Sequence, residues 1–142
     1  MTIKLSFLAS ILCGALCFTV YAAQPGVTFP AIDQLQQYTT VTRGSTVEHM
    51  LITPDALKNI KDGSAVPVGT HLVLVDYQSG KLSRYLVSEK TGEGELDWSY
   101  QAFGADQKVN KDENPQQCYS CHESQQRKQF MFTFSDAIGF KR

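Results

Sequence analysis

Cysteine is scarce in this chain and unevenly spread: there are four in 142 residues, and two of them, Cys13 and Cys17, fall in an apolar N-terminal stretch. An excess of charge of either sign is also missing, with 13 lysines and arginines against 14 aspartates and glutamates. That near-balance excludes the basic footprint of a nucleic-acid partner or of an anionic membrane surface. Internal repeats and low-complexity tracts are absent, which excludes repeat architectures and compositional linkers. At 142 residues the chain has room for one domain.

Only the N-terminus carries a long hydrophobic run, "LSFLASILCGALCFTV" (5–20), preceded by Lys4 and followed by "YAAQPG". One positive charge, a short apolar core and an alanine-rich cleavage region describe a secretory signal peptide. The run is short for a membrane span and has no basic flank after it. Leu12 and Leu16 stand before the two cysteines, where a lipoprotein signal wants Gly or Ala. Cleavage is expected after Ala22 or Ala23, giving a signal peptide over 1–23 and a single domain over 24–142 with no membrane anchor. Without those 23 residues Lys4 is lost, leaving 12 basic against 14 acidic side chains and a net charge of −2. Cys118 and Cys121 are then the remaining cysteines, and one C-x-x-C in an exported domain is not a disulfide scaffold.

The pattern predicts a β-rich α+β fold: an antiparallel sheet of about five strands with short helices. A helix is expected over 29–38, from the spacing of Ile32, Leu35 and Tyr38. "STVEHMLIT" (45–53) has strand composition. Thr53 and Pro54 are the N-cap and first residue of a helix that Gly63 stops. "THLVLVDY" (70–77) reads as a central buried strand, and "LSRYLVSE" (82–89) returns beside it after a turn at Gly80. "LDWSYQAF" (96–103) alternates, with Leu96, Trp98, Tyr100 and Ala102 on one face. Residues 104–117 are expected as loop, "ESQQRK" as a helical turn and "QFMFTFS" (129–135) as the last strand.

"CYSCH", residues 118–122, carries the chemistry. C-x-x-C-H is the attachment signature of c-type haem. Thiols three positions apart can each add across one vinyl group of the porphyrin, and His122 is then placed to bind the iron. The second imidazole nitrogen of such a ligand normally donates to a carbonyl, which fixes the tautomer. The expected cofactor is one covalent haem c per chain, bound by Cys118, Cys121 and His122, with His122 the metal ligand.

Three other uses of the motif are weighed against this. A redox dithiol would want a thioredoxin-like βαβ context. A zinc site needs four ligands, and only His49 and His71 remain, both on predicted strands. A disulfide between Cys118 and Cys121 would close a strained short loop.

Soluble electron-carrier cytochromes attach haem early in the chain and supply a methionine far downstream. Here Met131 lies only nine residues after His122, and Met50 sits in a strand pattern suited to packing. The heptads of a four-helix cytochrome are missing. A late motif without an evident sixth ligand predicts five-coordinate iron open to a small diatomic or nitrogen compound.

In order, "VPVGTHLVLVDY" (66–77), "LDWSYQAFGADQKVN" (96–110) and "CYSCHESQQRKQFMFTF" (118–134) resemble the cytochrome P460 family, which includes the cytochromes c′-beta. The resemblance spans residues 38–136. It implies an antiparallel β fold, a homodimer and one haem whose proximal ligand is His122. Members that oxidise hydroxylamine cross-link the haem to a lysine on the strand after the Gly-Thr pair; the c′-beta members bind nitric oxide and lack that bond. Here the strand after Gly69-Thr70 is "HLVLVDY", without lysine; the next is Lys81, and Leu74 or a neighbour takes the cross-linking place.

The function expected is therefore that of a periplasmic haem protein binding nitric oxide or a similar ligand, with possible redox detoxification through an unidentified redox partner. The alternatives are a hydroxylamine-oxidising or peroxidase-like oxidoreductase and a simple electron-transfer cytochrome. An enzyme would want a carboxylate on the open face, for which Asp112 and Glu113 are the candidates beside their plain use as loop charges. Trp98, Tyr100 and Phe103 are candidates for lining the haem pocket, and sheet packing explains Trp98 equally well.

Overall fold

The computed structural model describes residues 26–141, so the expected signal peptide lies outside the described residues. Five strands run in chain order: β1 (Gln36–Arg43), β2 (Thr46–Ile52), β3 (His71–Gln78), β4 (Lys81–Lys90) and β5 (Trp98–Gly104). They form one antiparallel sheet in the order β1-β2-β3-β4-β5, each strand pairing with its neighbour in sequence. Gly44 and Gly80 take positive φ (60° and 76°) in the two tight turns, a conformation that glycine adopts without a Cβ penalty. Three short helices accompany the sheet among the described residues: α1 (Pro54–Lys61), α2 (Pro115–Glu123) and α3 (Phe134–Gly139). The β-rich α+β class expected from the sequence stands.

Two elements correct the expectation. Residues 29–38 give only a single 3-10 turn at Ile32–Gln34, and β1 begins at Gln36. The run of Thr39, Thr40, Val41 and Thr42, β-branched at every position, outweighs the helical spacing before it. Residues 129–135 are not a strand. Gln129 and Phe130 sit in the left-handed region (φ 51° and 61°), which breaks any extended run, and α3 starts at Phe134. The fifth strand is thus at the opposite end of the domain from the one expected.

Other boundaries differ in detail. α1 begins at Pro54 as expected and buries Ala56, Leu57 and Ile60. Thr53 does not cap it: its hydroxyl accepts from the His71 amide at 3.0 Å, tying the helix to β3. β5 starts two residues later than expected, leaving Leu96 exposed.

The sheet buries both faces. One packs Val73, Val75, Tyr85, Val87 and Phe103 beneath the N-terminal segment, where Phe29 meets Tyr85 and Phe103 edge-on at 5.0 and 5.1 Å. The other packs Tyr38, Ile52, Trp98 and Tyr100 against α1 and against Phe130, Met131 and Ala137 of the C-terminal segment. Near the middle of this second face, Met50, Leu72, Leu74 and Leu86 are only half-buried.

Candidate functional site

The CYSCH residues lie on α2, inside a segment expected to be loop as far as residue 117. Asn114 starts the helix: its side-chain oxygen accepts from the Gln116 amide at 3.0 Å, and Pro115 fills the first helical position. Helical spacing then sets Cys118, Cys121 and His122 on one side as i, i+3 and i+4. Cys118 is half-buried against the sheet and Cys121 is exposed, both as free thiols. Burial pushes the Cys118 thiol above its ordinary pKa, and the nearby Glu113 charge acts in the same direction.

His122 is held by one hydrogen bond and two rings. Its Nδ1 donates to the Phe130 carbonyl at 2.6 Å, which leaves the lone pair on Nε2. Tyr100 lies 4.8 Å away, centroid to centroid, and Phe132 5.0 Å away. Burial lowers its pKa, with the Phe130 carbonyl opposing, so the neutral form that binds metals is favoured.

His122 opens onto a pocket of about 270 Å³ against the second face of the sheet. Its wall is mostly apolar, built from Val41, Met50, Leu72, Leu74 and Leu86, and no lysine among the described residues lines it. Leu74, on the strand after Gly69-Thr70, is among the residues of that wall. Met50 and Met131 also line the pocket.

A carboxylate missed from the sequence lines it too. Glu48 lies on the same sheet face as Met50 and accepts from Arg43 Nη2 at 2.5 Å, with its side chain only 13% exposed. Its two-residue offset from Met50 gave the parity; the register that turns this face toward His122 was not readable.

The other candidates are dispersed. Glu113 accepts from Arg84, whose Nε reaches the buried Asp76 at 3.1 Å, so it anchors the start of α2 to β4. Asp112 is exposed. Neither lines the pocket. Trp98 packs against Phe130, outside the lining. Phe103 cannot line the pocket, because it belongs to the opposite face of the sheet, under Phe29. His49 and His71 are not brought to the motif either. His49 bonds Gln37 and stacks edge-on with Tyr77, and His71 lies 3.5 Å from Glu89. Among the described residues no three His, Cys, Asp or Glu side chains gather as a metal set, so these histidines do not complete a zinc site.

A haem fits what is present. Two thiols and a tautomerically fixed imidazole share one helix side above an apolar wall. Tyr100, beside His122, buries its hydroxyl without any partner, as a bound group with its own acceptors would explain.

Residues 29–133 match the family described as Cytochrome P460. No curated protein matches the chain.

Proposed function

The chain belongs to the cytochrome P460 family, and from that premise we propose that it is an exported monohaem cytochrome whose five-coordinate iron binds nitric oxide or a similar small nitrogen compound. Membership makes it a haem protein of the c-type cytochrome class. Cys118 and Cys121 would hold one haem covalently through thioether bonds, and His122 would bind its iron through Nε2. A haem held there would supply an iron centre able to bind a small ligand.

The observation that carries the proposal is the setting of His122: a fixed tautomer, a free Nε2 and a mostly apolar wall without lysine. The carbonyl of Phe130 orients the imidazole and raises its basicity. Leu72, Leu74 and Leu86 exclude water and offer no hydrogen bond, which favours an uncharged diatomic over a polar ligand. The signal-like N-terminus, with haem attachment, supports a periplasmic location. The family supports a homodimer, and redox turnover would need a partner protein.

A second proposal rests on Glu48. A carboxylate held by Arg43 in the pocket wall is placed to take a proton from a bound substrate. Hydroxylamine or peroxide oxidoreduction would use it, with electrons passing to or from a redox partner.

Titration of the reduced, haem-loaded protein with nitric oxide tests the first proposal. A saturable one-to-one complex supports it, and no complex refutes it. Hydroxylamine turnover that falls on the order of 100-fold or more in Glu48→Gln would move the enzyme to first place.

A further inference from the structure

The peptide that receives the His122 proton bond is itself in an unusual state. Gln129 (φ 51°, ψ 41°) and Phe130 (φ 61°) are consecutive non-glycine residues in the left-handed region, where a Cβ is crowded. Such a pair persists only when its surroundings hold it. Three backbone bonds fold the turn: Gln129 N to Gln126 O at 2.9 Å, Phe130 N to Gln125 O at 3.0 Å and Met131 N to Lys128 O at 3.0 Å. The Phe130 ring, 1% exposed, is fixed between Trp98 and Tyr119.

The remaining restraint comes from another part of the chain. The Gln129 side chain accepts from the Val66 amide at 2.8 Å and donates to the Ser64 carbonyl at 3.3 Å. That amide bridges the turn to the segment joining α1 to β3, where Val66 is buried. The tether is bidentate, it satisfies a buried N–H, and it acts on the residue immediately before the carbonyl that His122 uses.

We infer that Gln129 is a positioning residue for the proximal histidine: by clamping the left-handed turn to residues 64–66, it aims the Phe130 carbonyl at His122 Nδ1 and so sets the imidazole's donor strength toward iron. This rests on the proposal that His122 binds the iron. A strong Nδ1 bond gives the imidazole more anionic character, which strengthens the iron–nitrogen bond and favours the ferric state. Loss of the tether lets the turn relax, lengthens that bond and reverses both effects.

The test uses the full haem-loaded protein, reduced, with Gln129→Ala, Gln129→Gly and Gln129→Glu. The readouts are the iron–histidine stretching frequency and the reduction potential. Ala and Gly should both lower the frequency and raise the potential, since each removes the tether. Gly also relieves the backbone cost, so it keeps the comparison open should Ala fold poorly. Glu retains an acceptor for the Val66 amide and should restore part of the parent's values. Parent-like values in Ala or Gly overturn the inference while leaving His122 as the ligand. An iron–histidine band that persists unchanged in His122→Gly overturns the ligation and this inference together.

Discussion

The two faces of the sheet are built differently. Beneath the N-terminal segment, Phe29, Tyr85 and Phe103 interlock edge-to-face over valines. On the other face, apolar side chains surround a pocket whose lining is interrupted by Glu48 and Arg43, and beside its His122 stand the orphaned Tyr100 hydroxyl and the left-handed turn at Gln129 and Phe130. Filled, satisfied packing is what stability alone requires. Departures from it gathered around His122 indicate where binding energy, rather than folding energy, shaped the chain.

The contrast can be broken at its strongest point first. Phe103→Ala should cost about 3–5 kcal/mol in urea unfolding, as for a fully buried aromatic, while nitric oxide affinity stays at the parent value. A large change in affinity would mean that the faces are coupled. Leu74→Ala, at a half-buried position in the pocket wall, should cost roughly half of the 2–5 kcal/mol typical of a buried leucine. It should nevertheless change the nitric oxide dissociation rate, because it admits water to the wall. Met50→Leu conserves volume and should cost under about 1.5 kcal/mol, with an unchanged spectrum of the reduced protein. A spectral change there would make Met50 a sixth ligand and the protein an electron carrier.

Local signals were legible in the sequence and long-range ones were not. The β3–β4 hairpin announced itself through apolar runs either side of Gly80, and CYSCH through a local spacing that needs no tertiary information. Phe103 was misread as a pocket candidate, although its parity opposes that of Trp98 and Tyr100 and the structure places it on the other face. Glu48 required the β2–β3 register, which pairs it with Asp76 and puts it on the face that lines the pocket. The "QFMFTFS" segment misled because aromatic content suggests a strand, whereas the bonds of Gln129 to residues 64–66 and the burial of Phe130 hold a left-handed turn. No local pattern reports such a tether.

The central claim is that the iron has one protein ligand, His122, and an open face on the leucine-lined pocket. The optical spectrum of the reduced, haem-loaded protein without added ligand tests it most directly. A high-spin five-coordinate ferrous spectrum of ordinary c-type haem, shifting when nitric oxide is added, is the predicted result. A low-spin six-coordinate spectrum, or a strongly red-shifted Soret band from a cross-linked macrocycle, would contradict it.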